Sequence, residues 1–280
     1  MNALDTLIAL SLEEDIGAAG DVTSEALIPA SAKGEGELWA KEPMVFSGGE
    51  AFARVFAYVD PRAQVKLEAK EGQWISSRRR VAQVKGNLRA LLLAERTALN
   101  ILQRTCGIAT ATRQAVAAVK GTRLRILDTR KTAPGFRALS KAAVRAGGGE
   151  NHRFGLFDGI LIKDNHLAAV GGSVRTAIER ARAHATHLLR VEIEVTSLRQ
   201  LDEAISAGAD VVMLDNFEDA GLRAAVKRAK GRVKLEVSGG VTLERLPRLA
   251  RLGVDFVSMG ALTHAARAMD LSLELWARGA

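Results

Sequence analysis

Cations gather in this chain at places where they need a reason. In "LRILDTRKTAPGFR" (124–137) the apolar residues Leu124, Ile126 and Leu127 open directly onto Asp128, Thr129, Arg130, Lys131 and Thr132. "GGGENHR" (147–153) then adds His152 and Arg153, and the apolar run ending at residue 162 delivers Lys163, with His166 close behind. A guanidinium grips a carboxylate through two parallel hydrogen bonds, while an ammonium acts as a compact point charge. Several such groups converging on one pocket suit a small dicarboxylate or a polyphosphate. Taken singly, each cation would pair with a surface acid; their recurrence after successive apolar runs favours an anion site.

Acids and glycines follow the same rule. Glu192 and Glu194 in "RVEIEV" (190–195) share one face of a strand, because side chains alternate with period two. Asp215 follows the next apolar run. These carboxylates either pair with Lys131 or Lys163 or hold Mg²⁺, a hard ion that prefers oxygen ligands and often arrives with phosphates. Both can hold at different stages of a cycle. "SGG" (238–240) and "MGALTH" (259–264) close the last two runs, where glycine lets the backbone approach an anion and a helix start points N–H groups at it. His166 and His264 sit beside these ends. The two histidines of "HATH" (184–187) have the spacing of one helical turn, but no third ligand is near in sequence, so they read as a polar mid-helix face. Cys106 has no base beside it and reads as a packed thiol.

Elements of a definite kind must carry these groups. Six short apolar runs (124–128, 158–162, 190–195, 210–214, 233–237, 254–258) alternate with amphipathic helical stretches, which predicts a parallel sheet with crossovers. Six units are too few for a complete eight-stranded barrel; a smaller or irregular barrel and a doubly wound sheet both fit. In either, the strand ends share one side, where ligands bind. The preceding residues do not repeat. Helical spacing covers 6–15, a strand, glycine turn and helix cover 36–59, and strands around a glycine turn cover 63–75. A long helical pattern fills 87–119, with a break expected near Gly107. This reads as an α+β domain.

Composition narrows the partners. The 280 residues are 48% hydrophobic and 26% charged, ordinary for a globular protein. A net charge of +8 raises the question of nucleic acid. The cations are mixed with acids except at Arg78–Arg80, which reads as a solvated turn, and 4% aromatics are too few for a base-stacking platform. Nucleic acid is not expected. No apolar run approaches the ~20 residues of a membrane span. One cysteine and an acidic N-terminus without signal-peptide features suit a reducing cytoplasm.

Taken in order, "EDIGAAGDVTSEAL", "AERTALNILQ", "GIATAT", the "DTRKT" segment through "NHR", "GLFDGILIKDNH", "EIEV", "VMLDNF", "LEVSGGV" and "GVDFVSMGALTH" resemble the quinolinate phosphoribosyltransferase family over nearly the whole chain. The resemblance implies an α/β sandwich domain over 1–108, an incomplete parallel α/β barrel carrying the active site over 109–265, and a tail (266–280) packed back on the first domain. It implies that phosphoribosyl pyrophosphate and quinolinate give nicotinate mononucleotide, pyrophosphate and CO₂, with Mg²⁺, in de novo NAD synthesis. It further implies a homodimer with active sites shared between subunits. By the same resemblance, quinolinate contacts fall on Arg130, His152, Arg153 and Lys163, with Thr129 alongside and Arg96 supplied by the neighbouring subunit. Lys131, Lys163, Glu194 and Asp215 match positions of catalysis, with Glu194 and Asp215 holding the metal together with pyrophosphate. Ser238, Gly239, Gly240 and Gly260 match the 5-phosphate site, with His264 near it. The chain departs from the family pattern in the Arg78–Arg80 run, where a glycine is common, and at Ala265, where serine is common.

Three other functions compete: a relative of the family with another anionic acceptor, a basic RNA-binding protein, and a zinc hydrolase built on the histidines. Intact "NHR" and "KDNH" motifs argue against the first, and the scattered charge and histidines against the others.

Overall fold

The computed structural model describes residues 2–278. Its strands are β1 (Lys33–Ala40), β2 (Met44–Val45), β3 (Gln64–Leu67), β4 (Trp74–Ile75), β5 (Arg79–Asn87), β6 (Arg125–Leu127), β7 (Ile160–Ile162), β8 (Val191–Val195), β9 (Val211–Asp215), β10 (Lys234–Ser238), β11 (Phe256–Ser258) and β12 (Leu271–Ala277). They fall into two compact units.

The first unit comprises the chain up to Arg113, Thr132–Gly148, and the chain from Leu262 onward. Its antiparallel sheet runs β12-β1-β5-β3. Along β1 burial alternates, with Leu38 and Ala40 facing a core that also holds Ile8, Leu12, Phe52, Val55, Phe56, Leu91 and Leu102. Phe52, Val55 and Phe56 lie three and four residues apart on helix Gly49–Val59, so one stripe of that helix meets the sheet. The other face is ionic: Arg80 bridges Glu37 and Glu68.

Several expectations change here. The strands of 63–75 do not pair with each other: β3 joins β5, and β4 forms a separate ladder with β2. Of the arginine run, only Arg78 sits in a turn, with φ of 58°; Arg79 and Arg80 open β5. That left-handed backbone explains why a glycine suits the position. Helix Leu88–Ala118 is unbroken at Gly107. Gly107 instead marks a close approach, because a Cβ there would collide with the carbonyl oxygen of Arg267. By internal contacts the first unit also takes in Thr132–Gly148 and the chain from Leu262 onward. Helix Arg137–Ala146 belongs to the first unit, where Ala143 and Val144 pack with Val45, Ile108 and Ala109. Arg113 secures its end by donating to the carbonyls of Gly147 (2.9 Å) and Gly72 (3.1 Å).

The second unit comprises Gln114–Lys131 and Gly149–Ala261. All six strands are parallel, in the order β6-β11-β10-β9-β8-β7. From β7 to β11 each strand lies beside its successor, without the mid-sheet reversal of a doubly wound fold. β6 joins β11 at the far edge, the position it would take in a closing barrel. Among the described residues the two edge strands do not form a ladder; beyond its pairing with β11, β6 adds an isolated bridge from Leu127 to Glu150. The strands are buried almost throughout, as expected for parallel strands covered by crossover helices. Helices Val174–His184 and Leu198–Ser206 are capped by Ser173 and Ser197, whose side chains accept N–H bonds from the first turn. "HATH" is not mid-helix: His184 ends its helix and His187 lies in the following turn.

Candidate active site

Parallel strands bring their carboxyl ends to one side, and the second unit collects most of the chemistry there. At the end of β6, Asp128 is fully buried. It accepts the His152 N–H (2.9 Å) and the Asn151 side-chain amide (2.7 Å). The acid that opens "DTRKT" is therefore an anchor for "NHR", two motifs more than twenty residues apart. Thr129 Oγ1 accepts the Lys131 N–H (3.1 Å), shaping the turn that presents Arg130 and Lys131.

Arg130 and Arg153 form the basic core of the site. Arg153 is held from its backbone, through its N–H to His152 Nδ1 (2.7 Å), and from its guanidinium, through Nη1 to the Gly159 carbonyl (3.0 Å). Asp158 fixes the next turn by accepting the N–H groups of Phe154 (2.6 Å) and Gly155 (2.8 Å). Burial, and then the positive charge of Arg130, hold the Arg153 guanidinium below its ordinary value. Arg130 Nε is itself buried without a hydrogen-bond partner. Two like charges and an orphaned donor in one place suit a bound carboxylate, which would relieve all three strains.

Lys163 follows β7, and its Nζ lies 3.1 Å from Glu194 Oε2 on β8. Its N–H donates to His166 Nδ1 (2.9 Å), so His166 shapes this strand end. Asp215 closes β9, the strand beside β8, and accepts the Asn216 amide at Oδ2 (2.9 Å). Asn216 has φ of 54°. Gly239 has φ of 91°, and a Cβ on it would collide with the Asn216 side chain. Asn216, Gly239, Gly240 and Arg223 line a cavity of about 610 Å³ beside Asp215, large enough for a phosphorylated sugar. Ser238 ends β10 and Gly260 follows β11.

The second unit thus holds Thr129, Arg130, Lys131, His152, Arg153, Lys163, Glu194, Asp215, Ser238, Gly239, Gly240 and Gly260. Arg96, exposed on helix Leu88–Ala118, and His264, at the end of the short helix Ala261–His264, belong to the first. Cys106 is buried, and burial pushes its thiol up to about 12, so it is no nucleophile. Among the described residues, the groups with metal-ligand spacing are His152, Glu192 and Glu236 rather than the helical histidines. Three contributors escaped the sequence: Asp128 as anchor, Asp158 as turn-former and Glu236. For Glu236 a signal was present, an acid inside the apolar run "VKLEV".

The geometry has counterparts in known proteins. The quinolinate phosphoribosyl transferase N-terminal domain profile matches residues 21–106, and the C-terminal domain profile matches 108–274. The chain is 44% identical to a probable nicotinate-nucleotide pyrophosphorylase [carboxylating] of Bacillus subtilis (strain 168), covering 94% of this chain and 90% of that one. It is 43% identical to the nicotinate-nucleotide pyrophosphorylase [carboxylating] of Mycobacterium leprae (strain TN), covering 98% and 97%. The crystal structure of NadC from Streptococcus pyogenes superposes with a TM-score of 0.93 at 40% identity, over 98% of this chain and 97% of that one. With both domain profiles matched in order and relatives aligned over nearly their full lengths, the chain belongs to the quinolinate phosphoribosyl transferase family.

Proposed function

We propose that the protein transfers the phosphoribosyl group of phosphoribosyl pyrophosphate to quinolinate and releases CO₂, giving nicotinate mononucleotide and pyrophosphate for NAD synthesis. The observation that carries this is the Arg130–Arg153 pair, half-buried, mutually repelling and held in place through Asp128 and His152. Quinolinate brings two adjacent carboxylates, and these cations neutralise and orient them. Lys163, now paired with Glu194, is within reach of the same end of the sheet and completes the acceptor site with Thr129. Ser238, Gly239, Gly240 and Gly260 receive the 5-phosphate, with the Gly239 backbone available where no side chain fits.

Loss of pyrophosphate develops positive charge at the anomeric carbon, and Glu194 supplies a carboxylate to stabilise it. Lys131 is exposed beyond β6, a position suited to the pyrophosphate. Glu194 and Asp215, oxygen donors at the ends of adjacent strands, fit the preference of Mg²⁺. When bound, that ion offsets the charge of the leaving group. After the new bond forms, the cationic ring nitrogen accepts the electrons left by CO₂, and Lys163 or Lys131 stabilises the carbanion or protonates it. Arg96 reaches the site of a second copy in a homodimer, in a cytoplasmic setting consistent with the single reduced thiol. Among the described residues no helix is long and apolar enough to cross a membrane.

The test is CO₂ release from carboxyl-labelled quinolinate, dependent on phosphoribosyl pyrophosphate and measured with and without Mg²⁺. Turnover of nicotinate with quinolinate ignored would mark a relative with another acceptor.

A further inference from the structure

Two buried glutamates lie behind the acceptor cations with no task yet assigned. Glu192 on β8 and Glu236 on β10 are 8% and 2% exposed. His152 Nε2 sits 3.0 Å from Glu192 Oε2 and 3.9 Å from Glu236 Oε1. Glu192 Oε1 and Glu236 Oε1 have no hydrogen-bond partner. A His–Glu–Glu set this close, with ligand atoms all within 4.8 Å, invites a metal.

The other ring nitrogen decides against one. His152 Nδ1 lies 2.7 Å from the backbone nitrogen of Arg153, whose hydrogen points at it. A backbone N–H can only donate, so Nδ1 must keep its lone pair. A metal-bound imidazole has the opposite arrangement, with the free nitrogen protonated and donating outward. A neutral ring with a bare Nδ1 carries its proton on Nε2, and that proton points at Glu192.

We infer that Glu192 and Glu236 form a positioning cluster for the acceptor site: Glu192 accepts the Nε2 proton of His152, and the lone pair left on Nδ1 holds the Arg153 N–H in place. His152 then acts on quinolinate through Arg153, since both of its ring nitrogens are committed within the chain. Glu236 lets the cluster exist without two buried anions side by side. Burial, and then the Glu192 carboxylate, push its acid up to about 8, so it holds a proton at neutral pH. The cluster's effect on substrate rests on the proposed acceptor site; the position of the ring proton does not.

The first measurement is ¹⁵N NMR of histidine-labelled protein without substrate, His152 being assigned by loss of its signals in His152→Gln. A protonated Nε2 and a bare Nδ1 are expected. The second is kinetics of Glu192→Leu, expected to raise the quinolinate KM roughly tenfold, the worth of one lost hydrogen bond to a charged group. Turnover at saturation and the phosphoribosyl pyrophosphate KM should change far less. Glu192→Gln keeps an acceptor oxygen and should restore most of the quinolinate KM. A protonated Nδ1 in the unaltered protein overturns the inference, whether or not the variants fold. So does an unchanged quinolinate KM in Glu192→Leu, or stoichiometric zinc uptake lost in Glu236→Gln. An unaltered protein that ignores quinolinate yet shows the expected ring proton would overturn the proposed activity and leave the cluster's geometry standing.

Discussion

Arg153 is held from both ends while its charge is left facing Arg130, and that arrangement has a measurable signature. Arg153→Ala should cost ~1.5–3 kcal/mol of acceptor binding, about one to two orders of magnitude in quinolinate affinity. Phosphoribosyl pyrophosphate binding should barely move, and calorimetry with each substrate separates the two. Glu236 makes a second prediction, about stability. Its ordinary carboxyl value of 4.5 is raised to about 8 in the folded chain, where it faces Glu192 and His152. The folded state therefore binds the extra proton, and this group's stabilising effect is complete below pH ~4.5 and lost as pH rises through ~8. Urea denaturation at pH 5 and pH 8 should show the wild type losing more stability on alkalinisation than Glu236→Gln. Equal losses would show that Glu236 is already ionised. At this scale the sequence displayed the cations plainly, because they stand after apolar runs. It hid the groups that orient them: Asp128, Asp158 and Glu236 act through partners that only the fold brings near.

The elements were legible where burial is periodic. Six apolar runs became six parallel strands because each is largely buried, and β1 kept its alternation because only one of its faces is. What failed was the meaning of single glycines and of pairing. Gly107 resembled a helix breaker, yet helix Leu88–Ala118 runs through it, since intrahelical bonds tolerate glycine and the missing Cβ admits the Arg267 carbonyl. Alanine is a better helix former by ~1 kcal/mol. Even so, Gly107→Ala should destabilise by roughly 1–3 kcal/mol through overpacking, lowering the unfolding temperature. A rise in that temperature would mean the loop carrying Arg267 yields at no cost. The pairing of β3 with β5 rather than β4 was unreadable for another reason: short strands of similar composition carry no label for their partners.

At the scale of the whole molecule the proposed role of Arg96 can be tested, since it lies with His264 in the first unit while the other proposed site residues lie in the second. It is exposed, and its neighbour Glu95 cannot face it from the adjacent helical position. If two copies share sites, inactive Arg96→Ala subunits mixed with inactive Lys131→Ala subunits should regain activity. A mixed dimer collects both lesions in one site and neither in the other. Random assortment then leaves about a quarter of all sites intact. Mixtures that demonstrably exchange subunits and stay inactive would return Arg96 to a structural role.

The register between β1 and β12 pairs Gly34 with Ala277, tying the start of the first sheet to nearly the last described residue. During synthesis the N-terminal unit is therefore not the first to be finished, although most of it emerges first. While the ribosome makes the intervening barrel strands, β1 presents a row of unsatisfied backbone groups along one side, the kind of edge that recruits strands from other chains. The second unit, uninterrupted from Gly149 to Ala261, can condense in the meantime. The nascent chain thus stays open to misassembly until β12 emerges, and the arrival of that one seven-residue strand ends the exposure.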